Sequence, residues 1–287
     1  MQPRLFIFGL GYSAARIAAA AVAQGWDVIS TGRAGTLSFD DASQVRLALA
    51  DSAQVLSSVP PSGDGDPVLE HYGDALTGKR LTYLSSTGVY GDCGGGWVDE
   101  SALTGTGRRT ARSEADAAWL ARGARVLRLP GIYGPGRSAL ERVGEGAARR
   151  IDLPGQVFSR VHVDDIVEAA LLAFAAPAGA YNVTDDLPCS QNAVIEHACR
   201  LLGAPLPPLQ SLDAAQLSPV ARAFYAENRR VANGRAKRML GWQPRYPSYV
   251  EGLAACLAAR WRNQQPGHRQ HRPAHREPGP AKTLEQR

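Results

Sequence analysis

The stretch Phe8-Gly9-Leu10-Gly11-Tyr12-Ser13-Ala14 reads as G-x-G-x-x-A, and its flanks give the pattern weight. Upstream, Arg4–Phe8 is a short apolar run of strand type. Downstream, Ser13–Gln24 is alanine-rich, a strong helix former, and stops at Gly25. Strand, glycine turn and helix in this order make a phosphate cradle. The glycines let the backbone turn tightly and approach a pyrophosphate, and the helix start offers unpaired amides and a partial positive charge. The third glycine position needs only a small residue for helix packing, which Ala14 supplies. Gly9, Gly11, Tyr12, Ser13 and Ala14 are therefore the first cofactor-binding candidates.

Further along, the first half alternates. Trp26–Thr31, Ala53–Val59, Arg80–Ser85 and Ala124–Leu129 read as strands; Asp41–Leu49, Pro67–Leu76 and Thr110–Arg122 read as helices. Repeated βαβ units build a parallel sheet with helices on both faces. This predicts an α/β, Rossmann-type doubly wound fold whose ligand lies outside the carboxyl ends of the strands. The second half is less regular. Arg160–Val163 and Tyr181–Val183 read as short strands around a helix at Asp165–Ala175; Gln191–Leu202, Val231–Leu240 and Tyr249–Arg260 read as helices. Leu206–Leu209 carries Pro207 and Pro208 and reads as a loop. The predicted organisation is a dinucleotide-binding domain over 1–135, rejoined by 161–184, a small substrate lobe over 136–160 and 185–262, and a disordered tail over 263–287.

The second strand runs into Ser30-Thr31-Gly32-Arg33. NAD sites usually place an acid here for the ribose 2′-hydroxyl, but no acid occurs between Asp27 and Asp40. A guanidinium suits a 2′-phosphate, through paired charge-assisted hydrogen bonds. Arg33 thus favours NADP, with NAD left open.

Composition narrows the function classes. With 44% hydrophobic residues, the 287-residue chain has enough apolar material for an ordinary core. Its formal net charge of +5 is a poor nucleic-acid signal, because five basic and two acidic residues follow Asn263. A body near neutrality is no phosphate-tracking surface, so no nucleic-acid partner is expected. His268, His271 and His275 in that tail read as solvated rather than metal-bound. Cys93, Cys189, Cys199 and Cys256 are widely spaced with no C-x-x-C pair, which predicts free thiols and no metal site. No apolar run approaches the roughly 18 residues that span a bilayer, and Leu5–Phe8 is too short for a signal-peptide core. The expectation is a cytoplasmic protein with no membrane partner.

Five pieces recur in a family's order: the Gly9–Ala14 loop, Ser85-Ser86-Thr87-Gly88-Val89-Tyr90-Gly91, Arg128-Leu129-Pro130-Gly131-Ile132-Tyr133-Gly134-Pro135-Gly136, Val161-His162-Val163-Asp164-Asp165 and Tyr181-Asn182-Val183. Leu240-Gly241-Trp242-Gln243-Pro244 extends the match toward the C-terminus. In these pieces the chain resembles the extended short-chain dehydrogenase/reductase superfamily, in its NAD-dependent epimerase/dehydratase branch. It looks most like the atypical YeeZ-like bacterial subgroup, which also fits Ser58-Val59-Pro60-Pro61. The resemblance implies that Val59, Pro60, Ser85, Pro130 and Ile132 complete the cofactor site. It also implies a small-molecule substrate in the lobe, with Arg137, Arg142, Arg149, Arg150 and Arg160 near it. Superfamily members commonly form homodimers through two helices per subunit, here Pro67–Leu76 and Thr110–Arg122.

The family's chemistry uses a serine, here Ser86, to orient substrate, and a tyrosine as acid/base with a lysine four residues on. A free phenol titrates near 10 and is a poor base at neutral pH unless a cation stabilises its anion. No Y-x-x-x-K occurs anywhere in the chain, whose only lysines are Lys79, Lys237 and Lys282. The family's spacing, with an acid at Asp116, puts Arg108 at the tyrosine and Arg112 at the lysine. Arg112 can hold a ribose, but arginine does not shuttle protons. Ser86, Tyr90 and Arg112 are the catalytic candidates, with Tyr133 and His162 as further acid/base substitutes. Three readings stay open: a substituted acid/base, a reaction needing little proton transfer from the protein, and a non-catalytic dinucleotide-binding regulator.

Overall fold

A computed structural model of the chain describes residues 2–63, 65–107 and 110–264. Strand Arg4–Phe8 shows why the chain folds in layers. Its side chains alternate: Leu5 and Ile7 enter one apolar cluster, Phe6 and Phe8 another. A strand buried on both faces is apolar at successive positions and belongs inside a parallel sheet. Six strands run parallel in the order Asp27–Ser30, Arg4–Phe8, Gln54–Ser57, Arg80–Ser86, Arg125–Leu129, Gly179–Asn182. The chain grows first to one side of Arg4–Phe8 and then to the other. The strand order therefore reverses between Arg4–Phe8 and Gln54–Ser57, and a crevice opens at their carboxyl ends. This is the doubly wound Rossmann-type α/β fold.

Helices cover both faces. Ile17 and Ala21 of Tyr12–Ala23 pack with Ile166 and Ala169 of Val163–Ala173 on one side. Val45 and Leu49 of Ala42–Ala50, Val68 of Pro67–Tyr72 and Trp119 of Thr110–Ala121 pack on the other. Trp119 stacks on Tyr83 with ring centroids 5.2 Å apart and planes 9° from parallel. Beyond the sheet's carboxyl edge, helices Ala139–Gly144, Gln191–Leu202 and Tyr249–Gln264 bury Leu140, Val194, Ala198 and Leu253 together as a lobe. Among the described residues no helix is long and apolar enough to cross a membrane.

Several elements differ from the sequence expectation. Arg160–His162 pairs with Gly131–Tyr133 outside the six-stranded sheet, and only Gly179–Asn182 returns to its edge. Val231, expected to start a helix, instead forms with Arg230 a two-residue strand against Trp97–Val98, and the helix begins at Gly234. Leu209 leaves the proline loop to pair with Arg150. The last helix continues through Gln264, so the expected tail begins later; its histidines lie outside the described residues.

One buried polar group ties the sheet's carboxyl half to its flanking helix. Arg128 donates from Nε to Asp116 Oδ1 at 3.1 Å and from Nη2 to Oδ2 at 2.7 Å. Both residues are almost fully buried, at 3% and 1% exposed. Ser85 donates to Asp116 at 2.6 Å, and Arg128 also donates to the Tyr90 hydroxyl at 2.9 Å. Removing one partner leaves the other charge buried and uncompensated. We expect Asp116→Asn to lower the free energy of unfolding by about 3–5 kcal/mol in urea titrations. A loss under about 1 kcal/mol, the level of an exposed ion pair, would contradict the pairing.

Candidate functional site

The crevice is built from the glycine loop outward. Gly9 sits at φ +78°, in the left-handed region that favours glycine. A Cβ there would meet the Ser58 hydroxyl and a Val59 methyl, both at 3.1 Å. Ser58 donates to the Gly9 carbonyl at 2.7 Å, and Thr31 accepts from the Gly9 amide at 3.2 Å. The loop is thus clamped by the turns after the two neighbouring strands. A Cβ on Gly11 would have nothing within 4 Å, so this glycine borders open space. Helix Tyr12–Ala23 starts at Gly11 with no side-chain cap, leaving its first amides for an outside acceptor. A braced glycine loop, open space at Gly11 and an uncapped twelve-residue helix fit a dinucleotide pyrophosphate.

The other cofactor candidates fall around this loop, with one exception. Tyr12 donates to the Pro135 carbonyl at 3.0 Å and carries Arg16 and Arg137 over its ring. It joins the loop to the chain just after Pro130 and Ile132. Val59, half-buried, lies against Gly9, and Pro60 follows it exposed. Arg33 is exposed at the end of the second strand and has no hydrogen-bond or ion-pair partner among the described residues. Ser85 is the exception: it is buried and its hydroxyl is held by Asp116.

Of the catalytic candidates, the structure brings two together. Ser86 and Arg112 both line one cavity of about 290 Å³, with Thr87, Gly88, Pro130 and Gly131 at the sheet edge. Arg112 is steadied by donating to the Tyr83 hydroxyl at 3.2 Å, and burial pushes that phenol up to about 12. Asp116 lies one helical turn beyond Arg112, so the buried pair with Arg128 fixes the helix that carries it. Arg108 lies outside the described residues.

Tyr90 is committed elsewhere. It is 1% exposed, donates to Asn182 at 2.8 Å, accepts from Arg128 and is not among the residues lining the cavity. His162 is committed in a similar way. Its Nδ1 accepts from the Asp164 amide and caps helix Val163–Ala173. The imidazole is enclosed by Tyr133, Tyr246 and Cys256, and burial lowers its pKa to about 4, so it stays neutral. Tyr133 donates to the Ser248 carbonyl, and burial raises its phenol far above the usual range. Asp165 holds the distant Gly241–Pro244 segment in place: it accepts from the amides of Arg245 and Tyr246, and its carbonyl accepts from Trp242.

The lobe supplies the cavity's far wall. Of the five arginines expected near it, Arg142, Arg149 and Arg160 line it. Arg150 instead pairs with Glu196 at 2.6 Å, and Arg137 lies over Tyr12. Sequence reasoning missed Leu217, Ala221 and Tyr225, which line the cavity from helix Pro219–Phe224 and its ends. Ser218-Pro219 is the signal that could have found them, since a serine cap followed by proline commonly starts a helix. It also missed Glu227 and Arg229, paired at 2.9 Å in the cavity wall.

No protein-family model matches the chain. It is similar to the solved structure of a functionally unknown conserved protein from Silicibacter pomeroyi DSS, with 40% identity and a TM-score of 0.80 over 90% of this chain and 99% of that one. It also superposes on the human epimerase family protein SDR39U1 with NADPH, at 16% identity and a TM-score of 0.71, over 88% of this chain and 99% of that one. At that identity the likeness concerns the fold. A 141-residue segment is 39% identical to the 3-diazoavenalumate denitrifying reductase of a Streptomyces species. The match spans 45% of the length of each.

Behind the cavity wall, Asp185 is 2% exposed and neither carboxylate oxygen has a hydrogen-bond partner among the described residues. Burial pushes its carboxyl up to about 8, against the opposing charge of Arg160. An aspartate in the unfolded chain titrates near 3.9, so the folded state binds this proton more tightly. The resulting stability is full below about pH 4 and falls as the pH rises through about 8. We expect the thermal midpoint of the wild type, relative to that of Asp185→Asn, to fall as the pH rises from about 4 to about 8 and to level off above that. Parallel profiles would contradict a protonated Asp185.

Proposed function

We propose that the chain is a member of the extended short-chain dehydrogenase/reductase superfamily, and within it an atypical, YeeZ-like NADP-dependent reductase of a small polar substrate. The observation that carries this reading is that Arg112 and Ser86 line one cavity at the sheet's carboxyl edge. The amides of Gly9–Ala14 take the pyrophosphate, and Arg33, exposed and unpaired, takes the 2′-phosphate. Arg112 takes the place of the family's lysine as a permanent cation at the ribose. Pro130 and Ile132 border the nicotinamide end. Ser86 donates its hydroxyl to a substrate oxygen or nitrogen. When bound, the reduced nicotinamide supplies a hydride.

Reduction is favoured over epimerisation on chemical grounds. An epimerase must take a proton from a hydroxyl and return it. Here Tyr90, Tyr133 and His162 are committed to buried hydrogen bonds, and a guanidinium is no proton shuttle. A reduction balanced by hydride alone needs no such group. Replacing a diazonium group by hydride, with dinitrogen leaving, is one reaction of this kind, and the Streptomyces relative bears the name of a denitrifying reductase of a diazo compound. The cavity of about 290 Å³ also suits a substrate smaller than a nucleotide-sugar.

The test is oxidation of NADPH, followed at 340 nm, against panels of arene diazonium salts of different ring substitution. Quinones and aldehydes, which need a proton as well, are the contrasting classes expected to turn over poorly. We expect turnover with at least one diazonium salt, and a loss of about 10- to 100-fold in kcat/KM for Arg112→Ala, with Arg112→Lys partly restoring it. Tight NADPH binding without oxidation by any class would replace this reading with a dinucleotide-binding regulator.

A further inference from the structure

The cavity wall is unequal in charge. Five arginines line it, Arg112, Arg142, Arg149, Arg160 and Arg229, against one acid, Glu227. Their hydrogen bonds sort them by availability. Arg160 is buried and spends its guanidinium on the carbonyls of Phe158, Cys189 and Ser190 and on the Gln191 side chain. Arg229 is occupied by Glu227 and the Gly91 carbonyl. Arg112 reaches Tyr83. Arg149 donates only from Nη1, to the Gly146 and Ala148 carbonyls. The Arg142 side chain has no hydrogen-bond or ion-pair partner among the described residues. The acid nearest Arg160 does not cancel the excess, because Asp185 keeps its proton to about pH 8.

Between the arginines the wall is apolar. Phe158 and Tyr225 meet edge to face, with centroids 5.5 Å apart. Val157, Leu217, Ala221 and Val231 complete that surface. A guanidinium with unused donors beside an aromatic slot recognises a planar apolar body bearing an anion, and a carboxylate matches its fork through two parallel bonds.

We propose that the substrate is a small aromatic or conjugated carboxylic acid whose carboxylate is gripped by Arg142, with Arg149 as second donor, while its reducible end lies at Ser86 and Arg112. This assignment rests on the reductase reading of the same cavity. Arg142 and Arg149 come from the lobe, and Ser86, Thr87 and Pro130 from the sheet edge. The carboxylate is thus a handle remote from the chemistry.

The test is calorimetric titration of the NADPH-loaded protein with benzoate, cinnamate and 4-hydroxycinnamate, each beside its methyl ester. NADPH is titrated first, so a failure of the cofactor reading is seen separately. We expect at least one acid to bind about tenfold or more tighter than its ester. Arg142→Ala should abolish that preference, Arg142→Lys should keep part of it, and the thermal midpoint should stay in place because Arg142 is exposed. The proposal is overturned if NADPH binds but no acid does, if ester and acid bind alike, or if the preference survives in the Arg142→Ala/Arg149→Ala double variant.

Discussion

The buried pair between Arg128 and Asp116 is the contact on which the site depends. It joins a central strand to the helix that carries Arg112, and through Ser85 and Tyr90 it reaches the neighbouring strand and the turn after it. Such a pair adds little net stability over an apolar substitute. Its effect is on register. Helix Thr110–Ala121 cannot rotate or slide without exposing a charge to a dry interior, so Arg112, one turn before Asp116, is held in the wall of the cavity that Ser86 also lines. The family motif and the active-site cation are positioned by one arrangement of hydrogen bonds.

That arrangement also accounts for the residues that do no chemistry. Tyr90, Tyr133 and His162 lie in family motifs, yet each spends its polar atom on structure: a strand-edge amide, a lobe carbonyl and a helix start. The cofactor half of the molecule keeps its family form, with a braced glycine loop and an uncapped helix. The proton-transfer half does not. A permanent cation at the lysine position suits binding and hydride delivery, and is unsuited to shuttling protons.

Legibility in the sequence followed distance along the chain. The strand, glycine loop and first helix are contiguous, and their periods change from two to 3.6 within a few residues, so they were readable directly. Arg112 was readable because the resemblance puts it at the lysine position, four residues before Asp116. The role of Tyr90 was not, since its hydroxyl is held by Arg128 and Asn182, 38 and 92 positions away. Ser85 was lost for the same reason. The strands Trp97–Val98 and Arg230–Val231 are too short to show a period, and they bring Arg229 and Glu227 to the cavity. The six-stranded sheet was legible as repeated βαβ units, and so were the lobe's longer helices; its short helices Ala139–Gly144 and Pro219–Phe224 were not, because six residues show little periodicity.

The central claim is that the crevice at Gly9 and Gly11 binds a nicotinamide dinucleotide with Arg33 selecting the phosphorylated form. Calorimetric titration of the wild type and Arg33→Ala with NADPH and NADH tests it most directly. A charge-assisted contact of about 1.4 kcal/mol or more predicts that NADPH binds roughly tenfold tighter or better, and that Arg33→Ala brings the two affinities together. Binding of neither nucleotide at millimolar concentration would contradict the account and leave a Rossmann scaffold put to another use.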